Sequence, residues 1–233
     1  MLGNIRIIYT PLGVYYIILI TLEKQPTRRG QLIMFKKHQT KISKWALRSV
    51  DNTAKVCLLV SATIQTQTPR VFDEYRGILD KGKASKFCWG MKKQTYDYVM
   101  QNKKQIYRVL KDAKLGKIKL VDCLVELSRM DGIGLAKAGF IMQLCIGEVG
   151  CMDTHNLQRF GLEAKTFKFG KTASDKLRRM KAELYIQACN QQGGCEYLWD
   201  SWCELIGTEK FPELYGSGEA VSKLHCDWLG IKA

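Results

Sequence analysis

Acidic residues are scarce in this chain: 22 Asp and Glu stand against 37 Lys and Arg, leaving a formal charge of +15. That balance favours a polyanion, nucleic acid before an anionic membrane. Proline is rare too, with four in 233 residues and only Pro69 and Pro212 beyond Trp45, so long helices can run unbroken there. No Cys-x-x-Cys pair occurs among the nine cysteines, which excludes the zinc-finger and zinc-ribbon spacings. The cysteines are odd in number and scattered through apolar helical stretches, the pattern of free thiols in a reducing, intracellular compartment. His38, His155 and His225 have no second ligand at a useful spacing, so no metal is expected. There is no internal repeat and no low-complexity tract. With 46% hydrophobic and 25% charged residues, a largely disordered chain is also excluded.

A membrane span is disfavoured. The longest uncharged run, Ile7 to Leu22, contains Pro11 and Gly13 and falls short of the roughly 20 apolar residues a span needs. It also lacks the small-residue cleavage site of a signal peptide. Its β-branched and aromatic residues suit a short strand or hairpin. Alternatively, translation starts at Met34 and the preceding residues are a poorly ordered extension. Residues 1–40 are therefore set apart as an N-terminal extension.

Residues 41–233 read as all-α. Apolar positions recur at helical spacing from about Lys41 to Ser49, Asn52 to Ile64, Arg70 to Leu79, Lys92 to Val109, Ile118 to Met130, Leu135 to Cys145, Ser174 to Asn190 and Glu196 to Ile206. Ser174 is a capping residue, and Gly193-Gly194 follows the end of its helix.

The stretch from Leu127 to Gly161 is the most informative. Gly132-Ile133-Gly134 separates two helical runs, and glycine there permits the positive φ of a tight turn. Ile133 would plug the hairpin. The free N–H groups at the start of the second helix would form an anion site suited to a DNA phosphate. Ala136, Ala138 and Gly139 would allow close helix packing. Alone, a Gly-x-Gly turn is a common helix–helix connection. Asp153 follows, in Met152-Asp153-Thr154-His155-Asn156, just before another helical run. It suits an N-cap, and a capping carboxylate can also do chemistry.

Leu127-Ser128-Arg129-Met130-Asp131-Gly132-Ile133-Gly134 together with Cys151-Met152-Asp153-Thr154-His155 and Arg159 resembles the helix-hairpin-helix DNA glycosylases, the superfamily of endonuclease III and its adenine-removing relatives. The likeness extends weakly from Trp45 to Gly207. The resemblance implies a two-lobed helical fold with the hairpin at the lobe junction. It implies a monomer acting on double-stranded DNA without a cofactor. It makes Asp153 the catalytic carboxylate that stabilises an oxocarbenium ion and orients water. Gly132, Ile133, Gly134 and Lys137 would bind DNA, and Gln65 would wedge into the stack as the target base flips out. Trp89, Tyr96 and Trp202 are candidates for the base pocket, with core packing an equal alternative.

Departures from the family pattern narrow the expectation. Ala136 occupies the place of the lyase lysine, and Lys137 lies about 100° further around the helix. Lys137 is therefore assigned to phosphate contact, and the implied enzyme is a monofunctional hydrolase. Asp131 replaces the usual proline and brings negative charge to the phosphate site. Cys189, Cys195, Cys203 and Cys226 do not have the family's iron–sulfur spacing. Val60 replaces the glutamate of the adenine-removing branch. Lys165, Lys168 and Lys171 with Phe167 and Phe169 form a basic, aromatic loop that could follow a phosphate backbone. Two other readings stay open: a non-catalytic DNA-binding protein on this fold, and a viral enzyme that hypermodifies DNA bases.

Overall fold

A computed structural model describes residues 8–10, 13–15 and 32–232. The chain divides into two units, residues 1–31 and 32–233. In the first unit, strands β1 (Ile8–Thr10) and β2 (Gly13–Tyr15) pair antiparallel, with Tyr9 opposite Val14. The rest of the apolar run read as a strand or extension lies outside the described residues. No helix among those described is long and apolar enough to cross a membrane.

The second unit is all-α, as the periodicity predicts. Its helices are α1 (Leu32–Ala46), α2 (Val50–Ala62), α3 (Thr68–Lys81), α4 (Gly90–Lys114), α5 (Leu120–Leu127), α6 (Leu135–Ile146), α7 (Thr154–Arg159), α8 (Asp175–Gln191), α9 (Gly194–Glu204), α10 (Pro212–Tyr215) and α11 (Gly218–Trp228). A π-helical turn, Leu205–Lys210, extends α9.

α6 is the central element. Every residue from Ala138 to Ile146 is buried, as expected for a helix apolar on all sides. It packs against α1, α2, α4 and α5. Burial of Ile141, Met142, Leu144 and Ile146 contributes on the order of 2 kcal/mol each. α2 is the second core helix. The Ser49 hydroxyl caps it by accepting from Asn52 N at 3.1 Å, and nine of its residues are buried.

The domain boundary expected at residue 40 moves to Leu32. Within α1, His38 and Gln39 are buried and bonded to distant parts of the unit. His38 Nδ1 lies 3.3 Å from Ser222 Oγ, and Gln39 Nε2 donates to the Gln143 carbonyl at 2.9 Å. A segment held to α6 and α11 in this way belongs to the helical unit. The run read as helical from Lys92 to Val109 is a single 25-residue helix, α4. α10 and α11 were absent from the sequence expectation.

Candidate active site

α5 and α6 form the hairpin. Gly132 has φ +82°, and a Cβ there would lie 2.6 Å from Thr95 Oγ1 and 2.7 Å from the Met91 carbonyl. Both the turn and the close approach of α4 therefore require glycine. Ile133 is buried, as a plug should be, and its N–H donates to Met130 O at 3.0 Å. Gly134 is exposed and extended, and leads into α6 with no side-chain cap. The first N–H groups of α6 are thus left for an outside acceptor. Asp131 forms a salt bridge with Lys171 at 3.0 Å, which offsets the charge it brings to the hairpin.

Asp153 sits at the N-terminus of α7. Its Oδ1 accepts from His155 N at 3.1 Å and Asn156 N at 3.0 Å, so the capping role is real. Oδ2 has no partner among the described residues. The loop before Asp153 is fixed by three polar side chains from the interior. Tyr185 Oη donates to Gly150 O and accepts from Met152 N, both at 2.8 Å. Gln143 Oε1 accepts from Cys151 N at 3.2 Å, and Asn156 Nδ2 donates to Cys151 O at 2.7 Å. Val149 takes φ +65°, a conformation such a loop can hold only when tied on all sides. Gly139 lets the loop approach α6, since a Cβ there would meet Gly150 O at 2.4 Å.

The α2–α3 turn brings Gln65. Gln65 is exposed and left-handed at φ +53°, rare for a residue with a side chain. A buried ion pair braces the turn from behind. Lys92, 4% exposed, pairs with Glu74, and Thr66 Oγ1 donates to Glu74 Oε2 at 2.9 Å. Strain at an exposed tip over a rigid base is characteristic of functional sites.

These parts meet at one cleft of about 870 Å³. Gln65, Gly132, Gly134, Lys137, Asp153 and Trp202 all line it. Its size is that of a small-molecule or cofactor site. Lys137 faces into the cleft, donating to Thr63 Oγ1 at 2.8 Å and standing 6.0 Å above the Phe140 ring. Lys168 and Lys210 add two further cations to the lining. In the basic loop, Phe167 is buried edge-on against Tyr185 at 5.3 Å, while Lys165 pairs with Glu163. Cys151 is the cleft-lining thiol nearest Asp153. Burial, and then the Asp153 charge, push it up to about 12, so it is no nucleophile at neutral pH.

Trp89 and Tyr96 do not line the cleft. Trp89 is 58% exposed just ahead of α4. Tyr96 packs toward Gly82, where its Oη would meet an added Cβ at 2.7 Å. Trp89 precedes α4 and Tyr96 lies near its start, and the cleft is walled by other elements. Phe140, Trp199, His225 and Trp228 join Trp202 in the aromatic wall. None of these four was assigned to the pocket from sequence, and neither was Tyr185 or Gln143. Gln143 did carry a signal, as the lone amide in the apolar run Phe140–Ile146. Among the described residues, no group of three or more His, Cys, Asp or Glu is placed to hold a metal ion.

No protein-family model matches the chain, and neither does any curated protein or solved structure.

Proposed function

We propose that the protein is a monofunctional DNA N-glycosylase, acting on a damaged, mismatched or modified base flipped from duplex DNA. The observation that carries this reading is the shared cleft. A half-buried carboxylate, an uncapped helix N-terminus and a strained, exposed glutamine come from three separate parts of the chain and open on one aromatic-walled space. The reading takes this cleft as the junction of two helical lobes.

Each part has a task that base excision needs. The N–H groups of α6 hold a phosphate, with the net charge of +15 supplying long-range attraction. Gln65 fills the gap left by the extruded nucleotide. The C1′–N bond breaks with its electrons going to the base, and Asp153 stabilises the positive sugar. Water then bonds to C1′ and gives its proton to the free Oδ2 of Asp153, while Oδ1 keeps the carboxylate in place. Lys137 supplies positive charge beside the departing base or its phosphate.

The test is a base-release screen on duplexes carrying uracil, alkylated, oxidised, mismatched and hypermodified bases. Asp153→Asn should lose release while keeping DNA affinity, because the asparagine oxygen can still accept from His155 and Asn156. Tight DNA binding with no release from any duplex would replace this reading with the non-catalytic one. Turnover confined to hypermodified bases, without a free base as product, would point to the modification enzyme. Borohydride should trap no covalent complex, and a trapped species lost in Lys137→Ala would overturn the hydrolase assignment.

A further inference from the structure

The cleft carries an aromatic box around a single imidazole. The His225 ring centre lies 4.9 Å from Trp199, 5.5 Å from Trp202 and 6.2 Å from Phe140, edge-on to each. Trp228 stands 4.8 Å away. His225 is only 1% exposed, yet it lines the cleft. Its Nδ1 is 3.1 Å from the Val221 carbonyl. A carbonyl can only accept, so Nδ1 carries the proton. The surrounding rings offer no negative charge, and burial pushes His225 down to about 4, so the imidazole is neutral. In that tautomer Nε2 is a lone-pair acceptor. No described group donates to it.

On the base-excision reading above, we propose that His225 Nε2 reads the extruded base. It selects bases whose inserted edge presents an N–H, whether a ring lactam or an exocyclic amine, and rejects those alkylated at that nitrogen. The flat rings accept any aromatic base by stacking and edge contact, which gives affinity without identity. Within the aromatic box, the Nε2 acceptor supplies the identity. A base with an N–H satisfies it, whereas an N-methyl group clashes with it and leaves it unpaired. An unpaired buried acceptor corresponds to about a ten- to hundred-fold loss in binding.

The experiment uses binding without chemistry. Tryptophan fluorescence is titrated with deoxyuridine against 3-methyldeoxyuridine, and with deoxyadenosine against N6,N6-dimethyldeoxyadenosine. Each parent nucleoside should bind about ten-fold or more tightly than its methylated partner. The Nε2 resonance of His225, followed by 15N NMR, should shift with the parents only. His225→Phe keeps an aromatic ring and removes the acceptor, and should bind both members of each pair equally. Retained discrimination in that variant would overturn the proposal. So would an Nε2 resonance unmoved by bound nucleoside, which is measured on the wild type and needs no folded variant. Absence of nucleoside binding by the wild type would overturn it as well. A protein that discriminates nucleosides but releases no base from any duplex would refute the excision reading and leave the His225 assignment standing.

Discussion

Asp200 offers the most quantitative test of the folded unit. It lies in α9, 9% exposed, and neither carboxyl oxygen has a hydrogen-bond partner. Burial, followed by the nearby negative charges of Glu196 and Glu204, pushes its carboxyl from the ordinary 3.8 up to about 8. The folded state therefore keeps a proton that the unfolded state releases above pH 4. With the folded value raised, stability is greatest below the unfolded value and falls as pH rises toward the folded one. At about 1.4 kcal/mol per unit, this group removes roughly 1.7 kcal/mol at pH 5 and about 5 at pH 8. The loss between those two pH values is at most about 3.5 kcal/mol, and about half that if solvent partly screens the carboxyl.

Asp200→Asn removes the titration and keeps the shape. The amide introduces its own burial penalty, but that penalty is the same at both pH values and cancels in the comparison. Urea unfolding of wild type and variant at pH 5, 6, 7 and 8 should give curves that diverge, the variant gaining about 2 to 3.5 kcal/mol across the range. For a unit of this size that is a relative rise of roughly 5 to 12 °C in melting temperature. Parallel curves would mean that Asp200 is ionised in the folded state, with solvent or a cation at its oxygens. They would refute the argument.

The remaining predictions concern the cleft. Gly132→Ala should destabilise the unit by about 2 to 4 kcal/mol, since it opposes both the positive φ and the contact with Thr95, whereas Gly134→Ala meets no atom within 4 Å and should melt like wild type. Comparable melting of the two variants would show that the hairpin is not held as described. Tyr185→Phe leaves Gly150 O and Met152 N without their side-chain partner, so it should lose about 2 to 4 kcal/mol in urea unfolding. It should also lower kcat more than DNA affinity, because the loop it fixes carries Asp153. DNA affinity measured by fluorescence anisotropy should fall steeply between 50 and 200 mM salt, and Lys137→Ala should reduce the log–log slope by about one. A flat salt response would remove backbone contact from the picture.

The hairpin and Asp153 were legible in the sequence because their chemistry is local. Positive φ at Gly132, the plug at Ile133 and the cap at Asp153 are each decided within a few residues. Gln65 owed its assignment to resemblance, and its left-handed backbone is a property that its residue type does not announce. The aromatic wall was not legible. Trp89, Tyr96, Trp202 and Trp228 are large aromatic residues on helices, and type alone cannot separate a cleft wall from an exposed tip or a core contact. Side chains whose partners lie far along the chain were the hardest. Gln39 looks like surface beside Lys36, Lys37 and Lys41, yet it bonds Gln143, which in turn holds Cys151 and hence the loop to Asp153. Each link in that series is set by a burial that only the assembled helices create. A polar residue with no local task in a helix meant to be buried is therefore the one sequence signal for such links, and Gln143 carried it.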